Sequence, residues 1–341
     1  RREAERTKKK PETLGGGSGL EERYSMSKDT KNGVVYPTLL DKLGQVPTKR
    51  GAGGKETLKK RARSKWYTTA IVGGLLHLDS PLRKYYQSAW YCCHVITQRE
   101  QKFTSKYCDT RVCHICNRIR TGKMINGYMK QIENLSAVDL LTLTIPNCKA
   151  EELQETINEM IRQSTLIIRV LRERRGIPIN GIRKLEVTYN AEEDTYHPHF
   201  HLLIDKGGKE IISMWLKRYT DAREWAQDLR KADEGGLKEL FKYTTKIQVG
   251  KLQKGKGLKV YLPQIDIIMQ SLKGKRTIQP FGNIKKVDEE VNSELQAQWY
   301  TDLPAYEFIE WIWKECDWYS PTLHNTLTGY VPPDIEIDLV W

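Results

Sequence analysis

Between residues 139 and 219 the hydrophobic and polar positions follow two periods in turn. Asp139–Ile145 puts Leu141, Leu143 and Ile145 on one face of a strand and Thr142 and Thr144 on the other, and Pro146 ends it. Residues 149–175 change to a helical period, with Leu153, Ile157, Met160, Ile161, Leu166, Ile168 and Leu171 forming a broad apolar stripe up to Gly176. Ile182–Tyr189 alternates again, and the polar stretch Asn190–Thr195 joins it to Tyr196–Ile204 as an antiparallel hairpin. After Gly207-Gly208, a helix from Lys209 to Tyr219 turns Ile212, Trp215 and Leu216 inward. The order strand, helix, strand, strand, helix predicts an α+β fold of ferredoxin-like or RRM-like type. Its central antiparallel sheet would carry the helices on one face and leave the other, polar face open. A further strand is expected around Lys259–Leu262.

The polar face carries chemistry. In Tyr196-His197-Pro198-His199-Phe200-His201, three of the chain's seven histidines share one parity, opposite Phe200, Leu202 and Ile204. Glu186 has the matching parity on the preceding strand. Two neutral imidazoles and a carboxylate side by side suit a divalent cation that keeps positions open for substrate. The expected ligands are His199, His201 and Glu186, with His197 in reserve at the start of its strand.

Five of the seven cysteines lie between Cys92 and Cys116. Cys108, Cys113 and Cys116 have C-x4-C-x2-C spacing, which can grip one zinc ion from a tight turn, and Cys92 or Cys93 would complete a closed, structural set. His94 or His114 could substitute.

Charge adds a partner. The net charge is +13, and residues 1–66 hold 18 Lys/Arg against 8 Asp/Glu. A basic front of this size points to a polyanion, usually nucleic acid. Residues 301–341 are acidic and include Trp311, Trp313, Trp318 and Trp341. Four segments follow: a flexible basic arm (1–65), a Cys-rich zinc element (66–130), a catalytic domain (131–290) and an acidic aromatic extension (291–341). There is no run of 18 or more apolar residues, so no transmembrane helix is expected. No G-x-x-x-x-G-K-[ST] sequence is present, so no ATPase motor is expected either. The loop from Gly250 to Lys259 is a candidate contact for a phosphate backbone.

On a helix, Glu239, Tyr243 and Lys246 fall at i, i+4 and i+7, presenting a carboxylate, a phenol and an ammonium together. Attack by Tyr243 on a phosphodiester would give a phosphotyrosine and a free 3′-hydroxyl, with Glu239 as a later general base.

Leu185–Asn190, Tyr196–Ile204 and Glu239-x-x-x-Tyr243-x-x-Lys246 together resemble three motifs of plasmid rolling-circle replication initiators (Rep proteins) of the single-tyrosine class. These belong to the HUH endonuclease superfamily, whose His-hydrophobic-His is His199-Phe200-His201 here. The Cys108–Cys116 stretch, and Ser271–Arg276 through Phe281-Gly282, are similar to segments flanking those motifs. The resemblance implies an HUH fold with Mg²⁺ or Mn²⁺ at the catalytic site. It also implies nicking of single-stranded or hairpin-extruded origin DNA by Tyr243, and rejoining of the displaced strand with help from Glu239. Such a protein would work in a prokaryotic cytoplasm beside a separate helicase and polymerase. A relaxase or transposase of the same superfamily is the near alternative, and a non-catalytic zinc-containing nucleic-acid-binding protein the distant one.

Overall fold

A computed structural model describes residues 54–341, with 136, 233–239, 242–257, 292–297, 301 and 335–336 outside the description. The basic arm up to residue 53 and the Tyr243 helix motif therefore lie outside the described residues.

The alternating segments build the central sheet. Strands β3 (Asp139–Thr144), β4 (Gly181–Asn190) and β5 (Thr195–Ile204) are framed by two short ones, β6 (Asp228–Lys231) and β8 (Ile278–Phe281). The order is β6-β3-β5-β4-β8, antiparallel throughout. Helices α4 (Ala150–Arg174) and α5 (Gly208–Arg218) cover one face. There Leu141, Leu143, Leu185, Val187, Phe200 and Leu202 are buried against residues such as Leu153, Ile157 and Trp215. Side chains of this size contribute about 1.5–3 kcal/mol each when fully buried. The Trp215 indole N–H donates to Thr144 O at 2.9 Å, so its polar end is satisfied at the end of β3.

The opposite face differs from the expectation. It is not left open, and the helices are not confined to one side. Helix α3 (His114–Ile132) lies over it, packing Met124, Ile125, Tyr128, Met129 and Ile132 on Ile182, Leu203 and Ile278. These three sheet residues share parity with the polar set, so one end of that face is apolar and the other polar.

The strand expected at Lys259–Leu262 exists as β7 (Leu258–Tyr261), but it pairs in parallel with β13 (Ile337–Val340), away from the central sheet. The sheet is widened instead by β6 and β8, four residues each, with Pro280 tolerated because β8 is an edge strand.

The expected flexible arm to residue 65 is also corrected. Helix α1 (Lys55–Leu75) begins ten residues earlier, and within it the Lys65 side chain is buried and donates to Trp90 O. Helix α1 packs beside α2 (Arg83–Tyr91). Next to them is a second antiparallel sheet: β1 (Val95–Glu100), β2 (Lys102–Ser105), β9 (Gln298–Trp299), β10 (Tyr306–Lys314), β11 (Asp317–Ser320) and β12 (Asn325–Thr326). Its order, β12-β11-β10-β1-β2-β9, pairs β1 with β10. The aromatic C-terminal segment is thereby the other half of a sheet begun before Cys108, and Trp311, Trp313 and Trp318 lie in its core. Helix α6 (Leu262–Ser271) leads from β7 toward β8. Among the described residues no helix is long and apolar enough to cross a membrane.

Gly181 fixes the start of the histidine hairpin. A Cβ there would meet Leu203 O at 2.2 Å and Phe281 Cζ at 2.7 Å. Gly181→Ala is expected to cost about 1–3 kcal/mol, as overpacking does. A fall in thermal midpoint by circular dichroism would show it. An unchanged midpoint would mean that the hairpin can shift at no cost.

Candidate active site

Strand parity and register make the site. Glu186 on β4 is paired with His199 on β5, Lys184 with His201, and Thr142 on β3 also with His201. Side chains two residues apart share a face, so Lys184, Glu186, His199, His201 and Thr142 meet beside the apolar end under α3. Glu186 is 2% exposed, His199 7% and His201 9%.

Both imidazole Nε2 atoms face the same carboxylate oxygen. Glu186 Oε2 lies 3.4 Å from His199 Nε2 and 3.7 Å from His201 Nε2, while its Oε1 is bonded to the Lys184 ammonium. Burial alone would raise the Glu186 carboxyl. The two neighbouring histidines and the Lys184 charge outweigh it and hold the group far below the usual carboxylate range, so it is ionised.

The far sides of the rings are anchored. His199 Nδ1 is 3.1 Å from His197 O, which can only accept, so Nδ1 carries the proton and Nε2 presents its lone pair to Glu186. His201 Nδ1 is 3.1 Å from Thr142 Oγ1. Two anchored imidazole nitrogens and one carboxylate oxygen, all within 4.8 Å of one another, form a set that could hold a metal ion. The donors are neutral nitrogen and anionic oxygen, which suits a divalent cation of borderline to hard character.

His197 falls outside this set. Its ring stacks on His199 with centroids 5.0 Å apart, and its Nδ1 is 2.9 Å from Asn147 Oδ1. Burial, with a smaller effect from neighbouring His199, brings it down to about 4.

A second set gathers at the base of α3. Cys92 caps α2, Cys108 follows β2, and Cys113 and Cys116 sit at the start of α3. The four Sγ atoms lie within 4.8 Å of one another, with Cys92–Cys116 at 3.5 Å and Cys108–Cys116 at 3.6 Å. Sulfurs around one zinc at about 2.3 Å would be about 3.8 Å apart, so the cluster is near that size. None of the seven cysteines is in a disulfide. Hydrogen bonds from Cys113, Cys116 and Cys92 hold Cys108 well below the usual thiol range, and those to Cys108 push Cys92 and Cys116 up.

Of the adjacent pair, Cys92 joins the cluster and Cys93 does not. Cys93 takes a left-handed backbone (φ 53°), is buried elsewhere, and is raised by that burial. His94 and His114 are not in the set either.

The description "replication protein" belongs to the family that matches residues 99–234. A Protein rep of Staphylococcus aureus is 30% identical over 172 residues, covering 48% of this chain and 70% of that protein. The chain belongs to the Rep family of plasmid rolling-circle replication initiators. A Protein rep of Bacillus amyloliquefaciens is 27% identical over 231 residues, 58% of this chain and 68% of that one. Another, from Streptococcus pneumoniae serotype 2, is 27% identical over 132 residues, 37% of this chain and 40% of its own length. No solved structure matches.

The Rep match spans Glu186, His199, His201 and three of the four clustered cysteines, and ends before Glu239. Glu239, Tyr243 and Lys246 lie outside the described residues, as does nearly all of the loop from Gly250 to Lys259. Sequence reasoning missed Lys184, Thr142 as the anchor of His201, and Asn147. The parity signal for Lys184 was present, two residues before Glu186, but a lysine on a polar face reads as solvated.

Proposed function

We propose that this Rep chain nicks origin DNA with Tyr243 as nucleophile, through an HUH-type site in which Glu186, His199 and His201 hold a Mg²⁺ or Mn²⁺ ion. The observation that carries the reading is the convergence of both Nε2 atoms on one Glu186 oxygen, in a chain of the Rep family. A bound divalent ion would polarise a phosphoryl oxygen of the scissile phosphate. Thr142 and the His197 carbonyl orient the rings, and Lys184 fixes the carboxylate so that Oε2 faces the histidines.

The Tyr243 oxygen bonds to phosphorus, the P–O3′ bond breaks, and the phenolic proton passes through solvent to the departing 3′ oxygen. The products are a 5′-phosphotyrosine and a 3′-hydroxyl primer. Glu239 then serves as base when a second 3′-hydroxyl reverses the link and closes the displaced strand. Unwinding and synthesis fall to a separate helicase and polymerase. The cysteine cluster holds zinc in a structural role.

Incubation with a labelled single-stranded origin oligonucleotide and Mn²⁺ should give a covalent protein–DNA adduct that is lost in Tyr243→Phe. An adduct that persists would move the nucleophile to Tyr219 or Tyr261. Of these, Tyr219 is a poor competitor, since its ring packs on Trp215 at 4.4 Å and burial pushes its phenol up.

A further inference from the structure

A cleft of about 610 Å³ opens between the start of α2, the loop between Cys108 and Cys113, and the turn that follows α6. Lys84, Arg111, Arg120, Lys273, Lys275 and Arg276 line it. The acids at the cleft are Asp109, Glu289 and Glu290. Asp109 is taken up by Arg120 at 2.6 Å and by the Val291 N–H at 3.0 Å. Among the described residues, Lys84, Lys273, Lys275 and Arg276 make no ion pair with a carboxylate, and Lys84, Lys273 and Arg276 are exposed. The cleft thus has a cationic surplus that the fold does not consume.

Its walls are built rather than incidental. Arg111 reaches across with two N–H groups, to Leu272 O at 3.1 Å and Lys275 O at 2.7 Å, pinning the basic turn to the cysteine loop. The Tyr85 hydroxyl accepts from the Arg111 backbone N–H, which holds its half-buried ring at the edge of the cleft. Gly274 sits at the crest of the turn in a left-handed conformation (φ +72°), and nothing lies within 4 Å of where its Cβ would be. A backbone can therefore approach the turn closely. The turn runs directly into β8, and Thr277 O accepts from the N–H of Leu185 at 2.7 Å, one residue before Glu186.

We propose that this cleft is a sugar-phosphate backbone site, seating a single DNA strand beside the central sheet, with Tyr85 as a stacking surface for one base. It rests on the reading of the chain as a DNA-binding initiator and adds to it a second DNA-binding surface, separate from the Glu186–His199–His201 set. The groups it offers bind phosphate, so it contributes affinity without reading sequence.

The full chain carrying Lys84→Gln, Lys273→Gln and Lys275→Gln tests this by fluorescence anisotropy with a mixed-sequence single-stranded oligonucleotide lacking any origin. The readout is binding alone, so the result does not depend on whether Tyr243 is the nucleophile. Neutralising one phosphate-binding side chain should reduce the slope of log K against log salt by about 0.7, so the triple variant should be shallower by about 2. It should also be weaker for every sequence alike. A control triple on α5 (Lys209→Gln, Lys217→Gln, Arg218→Gln) removes the same charge elsewhere and should leave the slope near that of the parent. An unchanged slope in the cleft variant, or an equal drop in the control, overturns the proposal. A parent that binds no DNA overturns the initiator reading as well.

Discussion

His199→Ala and His201→Ala are each expected to lower the nicking rate by at least about a hundredfold, while the chain stays folded. The size follows from what a cation at a phosphoryl oxygen supplies, several kcal/mol of charge stabilisation, at about 1.4 kcal/mol per tenfold. Folding should survive because neither ring lies in an apolar cluster. The packing of β5 is made by Phe200, Leu202 and Ile204 on one face and Leu203 on the other. The Glu186 carboxylate keeps Lys184 as a partner when a histidine is removed. His197→Ala is the internal contrast. The group that anchors His199 is the His197 backbone carbonyl, which the substitution leaves in place. Thr142→Val removes the anchor of His201 and should weaken metal binding about 10- to 100-fold. Mn²⁺ affinity by calorimetry, alongside gel-based nicking, separates the cases. Parental Mn²⁺ binding in His201→Ala would remove that residue from the ligand set.

Lys184 explains why the site is so compact. A buried carboxylate flanked only by neutral imidazoles would have to be protonated or hold a cation at all times. With the Lys184 ammonium on Oε1, Glu186 stays ionised, and Oε2 remains directed at the two Nε2 atoms. The strand pair therefore carries its own counter-charge and does not need a metal to fold.

Much of the catalytic half was legible because its elements are long and periodic. Strands β3 to β5 and helix α4 have uninterrupted periods of 2 and 3.6, and period 2 alone places Glu186 with His199 and His201. Strands β6 and β8 were not legible. They are four residues each, and one reads Asp228-Leu229-Arg230-Lys231, where edge position rather than hydrophobicity makes the strand. The covering of the histidine face by α3 was hidden because Leu203 stands between Leu202 and Ile204 of the opposite face, and Ile182 stands alone between Gly181 and Arg183. The choice between Cys92 and Cys93 depends on a left-handed backbone at Cys93, which spacing does not encode. The pairing of β1 with β10 joins segments some 200 residues apart, beyond any local pattern.

Cys113→Ser is expected to be the most destabilising single change in the chain. Closed cysteine–zinc sites contribute about 10–16 kcal/mol of apparent binding energy to folding in small peptides. A whole domain is stable by only about 5–15 kcal/mol, so even part of that contribution decides whether the region holds together. The cluster ties three elements at one point: the end of α2 through Cys92, the exit of β2 through Cys108, and the start of α3 through Cys113 and Cys116. From there α3 runs to Met129 and Ile132, which pack on Ile182 and Leu203 of the histidine face. Loss of the metal should loosen α3 first and reach the active-site sheet through that packing. The purified chain should therefore contain one zinc per molecule, released by a thiol-modifying reagent. Cys113→Ser, or zinc stripping, should lower the thermal midpoint steeply, with nicking lost in parallel. Cys93→Ala should keep its zinc, because Cys93 is outside the cluster. A metal-free parent that melts at the same temperature would leave the four cysteines as core residues and remove the zinc from the fold.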